Sequence, residues 1–393
     1  MASYLTTEDL DVADRRILVR TDLNVPLEEG TVSDDYRIIK ALSAVERLRN
    51  QGAIVVVASH LGRPKGVNPD LSMQPVAERM SQLGGFEVRH LDAVVGPSVK
   101  QAVAEAKPGD VVMLENTRFE PGETENDPEL AAALATLADY FVEDAFGSVH
   151  RAHASTVGVA ELVRSAAGPL LHRELTEMGK LSDPNHPYVV VLGGAKVSDK
   201  LGVIKSLLPT VDTMLVGGGM CFTLMKAQGL EVGNSMVQDD MLDQVAKLVD
   251  GPYGARIVLP TDVVVAPEFA ESAPPRVVSA QEMPPDQMGL DIGPDTAAAF
   301  AAILDDAECV FWNGPMGVFE WENFRQGTAK VAEGMAEANG FTVVGGGDSV
   351  AAIRMLDRED DISHVSTGGG AGLELLEGKK LPGIAVLEKW KDD

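Results

Sequence analysis

A chain of 393 residues, 45% hydrophobic and 24% charged, reads as a globular protein long enough for two or three domains, with no apolar run long enough for a membrane span. Its formal net charge of −27 argues against general binding to nucleic acid or an anionic membrane, because the net field repels phosphate. The acidic start MASYLTTEDLDVADRR lacks the basic head and apolar core of a secretory leader, and Cys221 and Cys309 form no metal-ligand or disulfide pattern, so buried reduced thiols and a cytoplasmic location are expected.

In chain order, ILVRTDLNVP (17–26) is an apolar strand that hands over to Asp22 and Asn24. YRIIKALSAVERLRNQG (36–52) is helix-like and carries Arg37 near its start. VVVASHLGRPKG (55–66) is a continuous β-branched run, the pattern of a strand covered on both faces, followed by His60 and Arg63. DVVMLENTRFEPGE (110–123) leads to Arg118, PGETENDPE (121–129) reads as an acidic surface loop, and PELAAALATLAD (128–139) as a helix. DYFVEDAFGSVHRAHAS (139–155) ends on His150, Arg151 and His153. Strands alternating with amphipathic helices predict an α/β domain with a parallel sheet, whose ligands bind beyond the carboxyl ends of the strands. Any one of these arginines could be a surface charge. Several converging on one site would hold a small, multiply anionic molecule, because a guanidinium is a fixed fork of donors that stays charged.

After LLHRELTEMGKL (170–181) and the turn-rich SDPNHP (182–187), which read as a connection, the punctuation changes. YVVVLGGAKVSDK (188–200), DTMLVGGGM (212–220), CVFWNGPMGVFE (309–320), FTVVGGGDSV (341–350) and HVSTGGGAG (364–372) are strands that end in glycine. Glycine lets backbone N–H groups approach a ligand, and a Gly-rich turn opening a helix makes an anion site; tight strand-to-helix packing selects the same residue. Neither a P-loop nor a G-x-G-x-x-G fingerprint occurs. Lys196 and Lys200 could supply the cation that a P-loop lysine would give. Asp348 could meet a phosphate-bound Mg²⁺, or simply cap a helix starting at Ser349.

RTDLNVP, DDYRI, SHLGRP, ENTRF, HRAHAS, GGAKVSDK, GLDIGP, WNGPMGVFE, GGGDS and STGGGAGLELLEG stand here in the order they take in phosphoglycerate kinases. The chain resembles that family from Arg20 to Gly378. The resemblance implies two doubly wound, Rossmann-like parallel-sheet domains facing each other across a cleft. The phosphoglycerate domain would be 1–169 joined by 380–393, the connecting helix and hinge 170–187, and the nucleotide domain 188–379. It implies reversible Mg²⁺-dependent phosphoryl transfer between 1,3-bisphosphoglycerate and ADP, giving 3-phosphoglycerate and ATP, in a monomer that closes by hinge bending. Asp22, Leu23, Asn24, Arg37, His60, Leu61, Gly62, Arg63, Arg118 and Arg151 are thereby implied to hold phosphoglycerate. Lys200, Gly217, Gly289, Glu320, Gly346, Gly347, Asp348 and Ser349 are implied to hold the nucleotide, with Asp348 toward Mg²⁺. Arg37, Lys196, Gly369 and Gly370 are implied to surround the transferred phosphoryl. Departures are few: Thr117 where the family more often has an aliphatic residue, Gly372 where it often has Ser, and Cys221 where a small residue is usual. Another acyl-phosphate kinase, or a non-catalytic two-domain anion-binding protein, are the alternatives to be weighed.

Overall fold

The computed structural model describes residues 4–391. The chain forms two compact units: one runs to Thr176 and takes back the chain from Lys380, and the other is Glu177–Lys379. The helix Pro169–Gly179 carries the chain from the first unit into the second.

In the first unit the strands are β1 (Arg16–Arg20), the short hairpin β2 (Leu27–Glu28) and β3 (Thr31–Val32), then β4 (Ile54–Ala58), β5 (Val88–His90), β6 (Val111–Met113), β7 (Tyr140–Glu143) and β8 (Ser165–Ala167). Six of them form a parallel sheet in the order β5-β6-β4-β1-β7-β8. The β-branched runs are buried on both faces, as their continuity predicts. Ile17, Val19, Val55 and Val57 pack into one core with Leu42, Val45 and Leu48 of the helix Tyr36–Asn50. Leu18, Val56 and Ala58 pack into the other with Phe141 and Leu134. The chain winds outward in both directions from β1, so the loops after β1, β4 and β7 meet at the topological switch point, where ligands of such sheets bind. The returning C-terminal segment is fastened to the short helix Val159–Leu162 of this unit: Trp390 Nε1 donates to the Ala160 carbonyl (2.7 Å) and Lys389 Nζ to that of Glu161 (2.9 Å).

The second unit contains β9 (Tyr188–Leu192), β10 (Thr213–Val216), β11 (Ile257–Val258), β12 (Asp262–Ala266), β13 (Arg276–Ser279), β14 (Met288–Ile292), β15 (Cys309–Asn313), β16 (Phe341–Gly345) and β17 (His364–Val365). Its parallel sheet runs β11-β10-β9-β15-β16-β17, with the switch point at β9. A separate antiparallel sheet, β13-β12-β14, has no counterpart in the sequence reading. Of the GLDIGP motif, Gly289 to Ile292 belong to β14, and Gly293 and Pro294 open a helix. The strand expected at 364–372 is just His364–Val365, because the glycines that follow leave the sheet. Thr117, Cys221 and Gly372 are all buried, so the three departures lie inside the packing.

Candidate active site

β1 ends on Arg20, whose side chain is buried. Its Nε donates to Ser155 Oγ (2.9 Å), its Nη2 to His60 Nδ1 (3.0 Å) and its Nη1 to the Thr21 carbonyl. Behind Ser155 lies Glu123, fully buried, accepting from the Ser155 hydroxyl (2.6 Å) and N–H (3.0 Å). The segment read as an acidic surface loop thus sends one carboxylate inward, because a buried guanidinium requires counter-charge. The signal for Arg20 is a cation continuing an apolar run. Neither Glu123 nor Ser155 carries any such signal.

The loops after β1, β4 and β6 are tied together by side-chain amides and a hydroxyl. Asn24 Oδ1 accepts from the Gly62 N–H (2.7 Å), and Ser59 Oγ from the Leu23 N–H (2.9 Å). Asn116 accepts from the Leu61 N–H (3.2 Å) and the Arg118 N–H (3.1 Å), and donates to the Leu61 carbonyl (2.8 Å). Arg118 Nη1 donates to the Gly62 carbonyl. Arg37, the second residue of its helix, donates to Asp22 Oδ1 (2.7 Å). Asp22, implied by the resemblance to hold phosphoglycerate, is therefore also the anchor of Arg37. Arg63, Lys65, Arg118, Arg151 and His153 line a cavity of about 520 Å³, together with Glu120 and Thr124.

These cations oppose one another. Burial, then Arg20, Arg118, Arg37 and His153, hold His60 well below the usual histidine range. Burial pushes His153 down to about 4, with Glu123 opposing and Arg20, Arg118 and Arg151 adding to the shift. Burial, then Arg151 and Arg20, lowers even the Arg118 guanidinium. Burial and mutual repulsion together disfavour positive charge here, and an anion would offset both.

In the second unit the loops after β9, β10 and β15 are joined through backbone. Gly194 N–H donates to the Pro315 carbonyl (2.9 Å), Gly218 N–H to that of Met316 (2.9 Å) and Met220 N–H to that of Gly194 (3.0 Å). Gly218 has φ +65°, and a Cβ there would lie 2.6 Å from Gly194 backbone atoms, so only glycine fits. Gly217 follows β10 directly, its N–H bonded to the Leu192 carbonyl (2.9 Å). Gly289, in β14, lies against Phe222: a Cβ would come within 1.9 Å of the ring. Lys200 donates through Nζ to Asn313 Oδ1, and Asn313 Nδ2 donates to the Gly345 carbonyl (2.8 Å). Burial lowers the Lys200 pKa while Asp199 and Asp348 oppose, which sets the Asp348 carboxylate within electrostatic reach of Lys200. Asn313, not singled out in the sequence, thus links the lysine to the glycine turn.

That turn runs straight into the helix Gly347–Met355, with Gly346 at its N-cap. Asp348 is exposed in the first turn, so it is not the cap of a helix starting at Ser349. Ser349 is buried and its Oγ accepts from the Gly314 N–H (2.6 Å). Lys196 and Glu320 are exposed, the former opening the short turn Val197–Asp199. Gly369 is the N-cap and Gly370 the first residue of the helix Gly370–Leu376.

The phosphoglycerate kinase family model matches residues 7–379. The phosphoglycerate kinase of Moorella thermoacetica is 51% identical over 387 residues, covering 98% of each chain. That of Rubrobacter xylanophilus is 53% identical over 384 residues, covering 97% of each. Among solved structures, phosphoglycerate kinase from Coxiella burnetii superposes with a TM-score of 0.88 at 38% identity, covering 98% of this chain and 99% of that one. The Pyrococcus horikoshii enzyme gives 0.90 at 30% identity, covering 99% of each. With both parallel-sheet units, both sets of strand-end loops and nearly every residue thus accounted for, the chain belongs to the phosphoglycerate kinase family.

Proposed function

We propose that the first unit holds phosphoglycerate and the second holds the nucleotide. The chain is a phosphotransferase with a carboxyl group as acceptor, exchanging a phosphoryl group between 1,3-bisphosphoglycerate and ADP to give 3-phosphoglycerate and ATP. The observation that carries the division of labour is the convergence of Arg63, Arg118, Arg151 and His153 on one cavity of the first unit, where burial first and then neighbouring cations disfavour the charged forms of His60, His153 and Arg118. A multiply anionic ligand relieves that repulsion. His60, Arg63, Arg118 and Arg151 would take its phosphate and carboxylate oxygens, Asp22 and Asn24 its hydroxyl, and the backbone of Leu23, Leu61 and Gly62 would complete the wall.

In the second unit the N–H groups of Gly346, Gly347 and Ser349 would cradle the nucleotide phosphates at a helix N-terminus, with Lys200 beside them. The Ser349 hydroxyl is engaged by Gly314, so Ser349 would act through its backbone. Gly217, Gly289 and Glu320 would line the nucleoside pocket. Among the described residues no group of three or more His, Cys, Asp or Glu side chains is placed to hold a metal ion. A lone exposed carboxylate such as Asp348 suits Mg²⁺ that arrives on nucleotide phosphates and needs only one or two protein oxygens. When bound, Mg²⁺ supplies charge neutralisation to those phosphates.

Transfer between a carboxylate and a phosphate needs no protein nucleophile and no general base, because both oxygens arrive ionised. Catalysis is then positioning plus stabilisation of charge on the equatorial oxygens. Arg37 and Lys196, with the N–H groups at Gly369 and Gly370, would meet that charge. Each unit presents its own substrate, and in-line transfer requires reacting atoms about 3 to 3.5 Å apart, so the units should draw together when both substrates are bound. The reading includes action as a monomer in the cytoplasm; among the described residues no helix is long and apolar enough to cross a membrane. Coupled measurement of ATP formation from ADP and 1,3-bisphosphoglycerate tests the whole reading. No ATP from 1,3-bisphosphoglycerate, with turnover of a different acyl phosphate, would replace the substrate. Binding of both ligands without turnover would leave an anion-binding protein.

A further inference from the structure

We infer that Arg20, backed by Ser155 and Glu123, is a positioning residue that holds His60 in its Nε2–H tautomer, so that His60 meets phosphoglycerate as a neutral hydrogen-bond donor. The inference rests on the reading of His60 as a phosphoglycerate ligand and adds how its polarity is set.

A guanidinium has five donors and no acceptor. With Arg20 Nη2 3.0 Å from His60 Nδ1, that ring nitrogen must present its lone pair. The single proton of the neutral imidazole is then on Nε2, which has no hydrogen-bond partner among the described residues. The tautomer decides the sign of the contact. Nε2–H donates to a carboxylate or phosphate oxygen, whereas Nδ1–H would leave an Nε2 lone pair facing the anion.

Arg20 cannot turn away. It is 1% exposed and pinned at Nε by Ser155 Oγ (2.9 Å) and at Nη1 by the Thr21 carbonyl. Ser155 has one hydroxyl proton and gives it to Glu123 Oε1 (2.6 Å), so toward Arg20 it can only accept. The bonds therefore run in one direction, from Arg20 through Ser155 to Glu123, and in the other from Arg20 to His60. Around the ring stand Arg20, Arg118, Arg37 and His153, so adding a proton to Nδ1 would set a second cation against the guanidinium. Glu123, behind Ser155, and Glu143, at the end of the strand next to β1, are the buried carboxyls near Arg20.

The test uses the full-length protein labelled with ¹⁵N-histidine. Long-range ¹H–¹⁵N correlation at pH 7 reads the tautomer of each ring, and His60→Gln assigns the His60 signals. The expected wild-type result is a bare Nδ1 and a protonated Nε2. Arg20→Met should give a mixture of tautomers and raise the 3-phosphoglycerate Kd about tenfold by calorimetry, the loss expected for one charge-assisted hydrogen bond. Ser155→Ala keeps the guanidinium and its bond to the Thr21 carbonyl but removes its tie at Nε, and should move both readouts the same way by less. Glutamine places an amide N–H at the Nε2 position and asparagine only at Nδ1, so His60→Gln should keep more affinity than His60→Asn. A wild-type His60 found as the Nδ1–H form, or as a cation, overturns the inference even if Arg20→Met does not fold. So does a tautomer that neither Arg20→Met nor Ser155→Ala moves. His60→Ala separates the two readings. Unchanged 3-phosphoglycerate affinity in that variant overturns both. Weakened affinity beside an Nδ1–H ring overturns only the role of Arg20.

Discussion

Ser349→Ala removes one oxygen from the second unit and should be felt in two places. Ser349 Oγ accepts from the Gly314 N–H at 2.6 Å, and both residues are buried. Alanine leaves that N–H without an acceptor and out of reach of solvent, a loss of about 1 to 3 kcal/mol. In a unit of this size each kcal/mol moves the midpoint by about 2 to 4 °C, so the transition of the second unit should fall by roughly 2 to 12 °C. The same bond ties the turn after β16 to the loop after β15, where Asn313 holds Lys200 and Trp312 Nε1 donates to the Gly314 carbonyl (2.8 Å). Loosening it should raise the nucleotide KM severalfold and leave the 3-phosphoglycerate KM unchanged. Scanning calorimetry and steady-state kinetics with each substrate varied in turn read the two effects. A midpoint within a degree of wild type would show that the buried N–H finds another partner, and equal changes in both KM values would show that the bond has no local role.

Arg37→Ala should lower kcat at least about a hundredfold with a smaller change in KM, as for a group acting mainly in the transition state; raised KM at unchanged kcat would make it a plain binding residue. Asp348→Ala should weaken Mg·ADP binding in calorimetry while 3-phosphoglycerate binds nearly as before, and equal losses for both ligands would point instead to a folding defect. Small-angle scattering should show the radius of gyration falling only when both substrates are bound, and no change with both sites filled would reject closure. Burial raises Glu143 to about 8, so the native state keeps a proton that the unfolded chain releases near its ordinary value. Stability should therefore decline as pH rises from about 4.5 to about 8, and Glu143→Gln should flatten that decline. Parallel urea midpoints for the two proteins at pH 5 and pH 8 would refute it.

Much of this protein was legible in the sequence for a local reason. A continuous run such as Val55–Ala58 must be covered on both faces, so it is a parallel strand, and whatever follows it stands at a ligand-binding edge. That logic alone reaches His60 and Arg63 after β4, Arg118 after β6 and Arg151 after β7, and in the other unit the glycines after β9, β10 and β16. What needed the tertiary structure was every property set by residues far apart in the chain. Arg20 looks like the end of a strand, but residues 40 and 135 positions away make it the fixed donor to His60. Glu123 sits in a stretch whose composition belongs on the surface, and only the approach of Ser155 and a buried guanidinium explains why it is inside. The antiparallel sheet around Gly289 was equally hidden, because a glycine in GLDIGP reads as a turn until Phe222 is found occupying the space of its missing side chain. Periodicity and punctuation act over a few residues and choose the elements. Charge compensation and hydrogen-bond direction act through space, and only the folded chain supplies the partners.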